Sequence, residues 1–332
     1  MERPEKCYVN LIIGAALGCV IAGCLSLCLG NVFISPGEIL RTLTGGETQY
    51  GSILRYARLP RTFACLLAGA GLSTAGAVLQ NVLANKLASP GIIGVNAGAG
   101  LGVTICCALG LLSGWAVSAG AFLGSLLAVG MIVLLSRRSG VSKATVILSG
   151  VAMNSMLGAF SESITVLDPD VALLSMEFRV GGFSAVSYTR LIPGGILICG
   201  ALAVLLTLCN ELDVVSLGDE TARSVGLHVS KYRFMFLILA ALLAGSAVSF
   251  AGLLGFVGLI VPHFVRRFTG SESRRLLPVT ALTGAGFVTL CDLAARLLFQ
   301  PYELPVGILM ALLGGPAFVM LLLRHKGGDG ND

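Results

Sequence analysis

The sequence predicts an all-α polytopic integral membrane protein, with about ten transmembrane helices at roughly 20 residues each. Three observations carry this expectation. Of 332 residues, 55% are hydrophobic and only 12% are charged, with a mean hydropathy of +0.91, whereas soluble domains run nearer a quarter charged. The charges leave long uncharged runs between them. Finally, 44 glycines suit helices whose backbones approach closely in lipid. The length would also hold two soluble domains, but the apolar runs are too long and too many for that. Residues 1–332 are read as a single transmembrane unit.

A crossing takes about 20 residues at 1.5 Å rise per residue. Residues 7–37 supply the first. Within them Ile21-Ala22-Gly23-Cys24 resembles a lipoprotein cleavage box. The sequence stays apolar to Gly30, however, where a mature lipoprotein turns polar, so an uncleaved helix is expected. An outer loop follows at about 31–60, and Ser35-Pro36-Gly37-Glu38 signals a turn and N-cap before a short helix. Residues 62–85 form the second crossing. Residues 87–136 hold no charge and read as two helices with a break at Ser113-Gly114-Trp115. Residues 144–161, 191–210, 276–298 and 304–323 supply four more.

The stretch 234–265 is too long for one upright helix, at about 48 Å, and too short for two full ones. Arg233 precedes it, and Arg266, Arg267, Arg274 and Arg275 follow. Positive charge at both ends places both in the cytoplasm. The chain is therefore expected to go out and return, with a break near Gly252, Gly255, Gly258 and Pro262. Both termini then lie in the cytoplasm, together with fifteen of the 22 lysines and arginines. Arg55, Arg58 and Arg61 form an outer cluster against that bias. A cytoplasmic segment at about 211–232 reads as one or two short surface helices, and 327–332 as a disordered tail.

Several chemistries find no support in the residues. The ten cysteines are scattered through apolar runs without a CxxC pair, and His228, His263 and His325 form no HExxH. No metal site is expected. No lysine follows a glycine, so the chain has no P-loop for ATP phosphates. A proton-driven carrier retains ionisable groups at mid-membrane. Only Glu162, Asp292 and Arg296 are candidates, and Asp292 and Arg296, four apart on a helix, are placed to neutralise each other.

Six blocks carry a family resemblance over nearly the full length: RLPR at 58–61, GAGLSTAGAVLQ at 69–80, NKLASPGIIGVNAGAG at 85–100, LGDETARSVGL at 217–227, GFVGLIVPHFVRRFTG at 255–270 and ELPVGILMALLGGPAFVMLLL at 303–323. In these the chain resembles the FecCD-type permeases, the membrane subunits of ABC importers for iron-siderophores, haem and vitamin B12. Lys86 departs from the pattern, which commonly has Pro after the Asn. The resemblance implies a permease in the bacterial cytoplasmic membrane, paired with a second copy or a close paralogue. Two ATPase subunits would lie inside, using ATP and Mg, and a substrate-binding protein outside. The chain itself would bind no cofactor and no nucleic acid. Iron-siderophore is the first cargo implied, then haem, then cobalamin.

Site roles follow from the same resemblance. Arg58, Arg61 and Arg296 would face outward and meet glutamates of the binding protein. Leu217, Gly218, Arg223, Gly226 and Leu227 would form the loop that sits in a cleft of the ATPase. Asn85 and Leu87 would contribute a cytoplasmic gate at the turn containing Pro90 and Gly91. From the residues alone, these three features also read as lipid headgroup anchors, an amphipathic loop and a tight hairpin. An ATP-independent secondary transporter and an intramembrane enzyme are the rival classes. The first lacks mid-membrane carboxylates, and the second lacks an HExxH or Ser–His pairing.

Overall fold

The computed structural model describes residues 5–137 and 143–326, with side chains described over 8–134 and 144–320. The expected tail at 327–332 lies outside the described residues. All regular structure among them is helical. Helix α1 (Glu5–Cys28) ends well before Gly37, because the rest of the uncharged run turns and forms α2 (Pro36–Leu43). The expected N-cap is present as a capping box. Ser35 Oγ accepts the Glu38 N–H at 3.3 Å, and the Ser35 N–H donates to Glu38 Oε2 at 3.2 Å.

The second span begins earlier than the charges imply. Helix α3 (Gly51–Ile53), one π-helical turn (Leu54–Arg58) and α4 (Leu59–Val82) run as one 32-residue rod. Arg55, Arg58 and Arg61 therefore stand on a helix. The rod closes at Ala84, whose φ of 47° takes the place a glycine usually fills. The Ala84 and Asn85 N–H groups donate to the Asn81 and Gln80 carbonyls at 3.2 and 3.1 Å. Turns follow to Gly94, which is why α5 (Val95–Ala108) is only 14 residues long.

Helix α6 (Gly114–Arg137) begins at the expected break, and α7 (Lys143–Leu167) follows. Helix α8 (Pro169–Val180) was hidden by its charges, and Asp168 caps it by accepting the Asp170 N–H at 3.1 Å. Next come α9 (Tyr188–Thr207), α10 (Cys209–Ser216), α11 (Asp219–Ser224) and α12 (Val229–Ala251). Helices α13 (Val257–Thr269), α14 (Ser273–Leu297) and α15 (Val306–Lys326) complete the bundle.

The long stretch 234–265 is broken as its length requires. Helix α12 stops at Gly252, with φ 69°, and Phe256 opens α13 with φ 64°. The broken backbone is stitched to its surroundings: Leu253 N–H donates to the Phe178 carbonyl at 3.0 Å, and Gly182 N–H to the Ala251 carbonyl at 2.8 Å. Gly258 and Pro262, expected as break positions, lie inside α13.

Among the described residues, seven helices are long and apolar enough to cross a membrane, and α5 and the described part of α15 are shorter apolar helices. The rod Gly51–Val82 and α12 form the centre, each with 78% of its most apolar window buried, against 17% for α1. Small residues let these helices touch. A methyl group at Gly76 would collide with the Gly258 carbonyl, and one at Gly69 with the Gly284 carbonyl.

Candidate functional site

At the end of the bundle where α1 stops and α14 finishes, the three arginines expected to face outward are turned inward. Arg58 is 6% exposed and Arg296 4%. Arg58 leaves the π-helical turn toward the C-terminus of α1. Its guanidinium donates to the carbonyls of Leu27 at 2.5 Å, Cys28 at 2.9 Å and Val32. The last carbonyls of a helix have no partners of their own and carry partial negative charge, so a buried cation is well placed there.

Arg61 grips Asp292 with two nitrogens, Nε at 3.1 Å and Nη2 at 3.0 Å, and reaches Glu303 with Nη1 at 2.6 Å. Arg296 pairs with Asp292 Oδ2, which it shares with Arg61 Nε, at 3.2 Å and donates to Ser26 Oγ at 2.9 Å. The neutralisation expected between Asp292 and Arg296 is present, but Asp292 also serves Arg61. The three arginines are thus a clasp joining α1, α4, α14 and the Glu303 loop, not an open patch. Burial in a low-dielectric interior demands paired charge, and the sequence places its carboxylates accordingly.

At the opposite end, α10 and α11 lie side by side. Gly218 and Gly226 have φ of 109° and 87°, which favours glycine at both. Gly226 ends α11: its N–H donates to the Arg223 carbonyl at 2.9 Å, and the Leu227 N–H to the Ala222 carbonyl at 3.0 Å. This geometry turns Leu227 back onto the main core. The exposed apolar side chains are Leu217 at 67% and Val225 at 70%. Val225 went unnoticed in the sequence, and Leu227, expected in the same loop contact, is half-buried. Arg223 is exposed, and Arg233 forms an ion pair with Asp219 across the loop.

A polar chain joins this segment to the membrane core. The Ser273 N–H, at the start of α14, donates to both carboxylate oxygens of Asp213 at 2.9 and 3.1 Å. Asn81 Nδ2 donates to Ser273 Oγ at 3.0 Å, and Arg266 Nη2 donates to Asn81 Oδ1 at 2.8 Å. Burial raises the Asp213 carboxyl above its ordinary value, and the Ser273 hydrogen bonds offset part of that rise. Helices α10, α14, α4 and α13 are thereby linked. Sequence reading missed these residues, although Gln80-Asn81 is a polar pair at the end of an uncharged run.

The turn at 85–94 is compact. Asn85 Oδ1 accepts the Leu87 N–H at 2.8 Å, and both side chains are half-buried. Above it, between α5, α7 and α8, lies an open cleft of about 420 Å³, with Asn96, Asn154, Glu162 and Arg179 among small and apolar residues.

Comparison with known proteins covers nearly the whole chain. Residues 18–324 match the model of the FecCD transport family. The ABC transporter permease protein YvrB of Bacillus subtilis is 38% identical, over 97% of this chain and 95% of that protein. The Fe(3+)-citrate import system permease protein YfmE of the same organism is 32% identical, over 96% of each. The vitamin B12 import system permease protein BtuC of Salmonella typhi is 35% identical, over 97% of this chain and 98% of its own. A metal-chelate type ABC transporter solved in an inward-facing conformation superposes with a TM-score of 0.85 at 28% identity, covering 95% of this chain and 99% of that one.

Proposed function

Because the chain belongs to the FecCD transport family, we propose that it is the membrane-spanning subunit of an ATP-driven importer of a metal chelate. An iron-siderophore complex is the first candidate cargo, with haem or cobalamin as the others. The chain is a multi-pass permease of the bacterial inner membrane. Two copies, or one copy and a close paralogue, enclose the pathway between them. Two ATPase subunits bind and hydrolyse Mg-ATP on the inner side, and a binding protein delivers cargo outside. This chain holds no cofactor and performs no covalent step.

One observation carries the reading. The α10–α11 segment exposes Leu217 and Val225 at one end of the bundle and is tied through Asp213, Ser273, Asn81 and Arg266 to three long-range core contacts. Exposed apolar knobs on a rigidly anchored element suit a partner protein that pushes. Leu217, Gly218, Arg223 and Gly226 form that contact, and Leu227 anchors it from behind. Ten crossings, with both termini in the cytoplasm, follow when α5, α13 and α15 span beside the other seven. The arginine placement at 266, 267, 274 and 275 supports this topology.

Arg58, Arg61 and Arg296 then act in binding-protein docking by holding the outer face from beneath. Glu303, whose side chain is 35% exposed, is the part of the clasp open to a partner. Asn85 and Leu87 narrow the inner exit. Reconstitution with the cognate ATPase and binding protein tests the assignment: uptake of ferric chelate into proteoliposomes should require all three proteins and ATP. Uptake by this chain alone, without ATP, would make it a secondary transporter and overturn the reading.

A further inference from the structure

Arg190 stands in the first turn of α9, half-buried, and its guanidinium makes no ion pair and no hydrogen bond among the described residues. Its position makes this unusual. A methyl group at Gly114 would overlap the guanidinium, so the cation lies directly against the first residue of α6. Helices α6 and α9 are 24 and 20 residues long, and both present their positive dipole ends to Arg190. A cation is unfavourable there unless an anion joins it. Glu177 lines a neighbouring cavity of about 210 Å³ with Arg190. It accepts instead from the Ser184 hydroxyl at 3.4 Å, and the two charges do not come within ion-pair distance.

Along the bundle from Arg190, a groove of about 260 Å³ runs between α6 and α9. Three serines line it: Ser249 donates its hydroxyl to the Ser246 carbonyl at 2.7 Å, while Ser118 is 5% exposed and Ser246 0%. Neither the Ser118 nor the Ser246 hydroxyl has a hydrogen-bond partner among the described residues. Buried hydroxyls left so are costly, and two in one groove point to a ligand that supplies oxygen atoms. The outer wall is apolar and open: Trp115, Leu123 and Leu197 are 58%, 57% and 38% exposed. Trp115 is the chain's single tryptophan, a residue that settles at headgroup level in membranes.

We propose that this groove binds an anionic phospholipid. Its phosphate pairs with Arg190, its ester oxygens meet the Ser118 and Ser246 hydroxyls, and an acyl chain lies against Leu123 and Leu197. The combination of one unpaired cation, two unpartnered hydroxyls and an apolar wall facing the bilayer fits a lipid better than a small anion, which would leave the wall unused. The site does not depend on the transport reading.

Trp115 reports occupancy directly. The full-length chain would be placed in phosphatidylcholine nanodiscs doped with phosphatidylglycerol, with one lipid or the other brominated in its acyl chains. Brominated phosphatidylglycerol should quench Trp115 at a mole fraction about fivefold lower than brominated phosphatidylcholine, the effect of one basic side chain at a membrane surface. Arg190→Gln should abolish the preference, and Arg190→Lys should keep most of it. Gly114→Ala, which retains the charge but displaces the guanidinium, should weaken it, so the idea stays testable if Arg190→Gln fails to fold.

Equal quenching by the two lipids would overturn the proposal, as would a preference that survives Arg190→Gln or is untouched by Gly114→Ala. Loss of the preference on adding inorganic phosphate would show a site for a free anion instead. Failure of either lipid to quench would mean that a second copy covers the groove.

Discussion

Gln80 donates its side-chain amide to the carbonyl of Gly258 at 3.2 Å, and Pro262 is the reason that carbonyl is free. Pro262 sits inside α13, four residues after Gly258, and has no N–H to close the helical bond. A buried carbonyl needs a partner. Helix α4 approaches α13 through Gly76, closely enough for Gln80 on the next turn to supply one. Gln80→Leu should therefore lower stability by about 1 to 3 kcal/mol, the range for an orphaned buried polar group. In a Pro262→Ala background the backbone can satisfy Gly258 itself, and the same substitution should cost less. A double-mutant cycle by denaturant unfolding in detergent measures the difference. Equal costs in the two backgrounds would show that Gln80 serves some other purpose.

The arginine clasp gives a second prediction. Asp292 is 1% exposed and is shared by Arg61 and Arg296. Asp292→Asn leaves two buried cations with too little countercharge and should cost about 3–5 kcal/mol. Glu303→Gln removes a carboxylate that is 35% exposed and should cost no more than about 1 kcal/mol. Thermal unfolding of both variants in the same detergent separates them. Comparable losses would mean that Glu303 is the true counter-ion.

Most of the spans were legible because charge is expensive in hydrocarbon, so the uncharged runs mark them. Boundaries were less legible where charge and helix coincide. Arg55, Arg58 and Arg61 looked like part of an outer cluster, yet they ride the first turns of the Gly51–Val82 rod; neighbours bury and satisfy Arg58 and Arg61, while Arg55 stays exposed and donates to the Thr42 carbonyl at 3.0 Å. Acidic residues at 168, 170 and 177 concealed α8 in the same way. Gly226 was readable as a bend. The inward turn of Leu227 was not, since it depends on the hydrogen-bond pattern that closes α11. The chain from Asp213 to Arg266 spans four helices, and no local pattern records such a meeting.

The proposed topology predicts accessibility. In a cysteine-free background, Ser230→Cys should react with an impermeant thiol reagent only from the cytoplasm, and Glu47→Cys only from outside; both positions are exposed in the structure. Labelling of both from one side would remove the out-and-return path through α12 and α13.

Asp213 separates the need for a hydrogen-bond acceptor from the need for a charge. Asp213→Ala leaves the buried Ser273 N–H without its acceptor and should cost about 1 to 3 kcal/mol. Asp213→Asn keeps an acceptor. Because burial raises this carboxyl from 3.8, the native state holds its proton more tightly than the unfolded chain does. The contribution of Asp213 to stability is thus present below that ordinary value and lost as pH rises through the raised one. The stability difference between wild type and Asp213→Asn should shift toward the variant as pH rises across this window. A pH-independent difference would count against a buried, raised carboxyl.

Gly226 offers the sharpest test of the coupling role. A residue with a Cβ at φ 87° carries about 1–2 kcal/mol of backbone cost, but the position has open space around it. Gly226→Ala and Gly226→Asp should both fold and insert in the membrane. They differ in what they present to a partner. Asp adds a charge beside Leu217 and Val225, where an interface would close around it, and an unpaired buried charge there is strongly unfavourable. Gly226→Asp should therefore lose the ATPase subunits on purification, or leave ATP hydrolysis unresponsive to the loaded binding protein, with uptake at background. Gly226→Ala should retain assembly and a measurable part of uptake. If Gly226→Asp imports cargo as the wild type does, the α10–α11 segment is not where ATPase and permease meet.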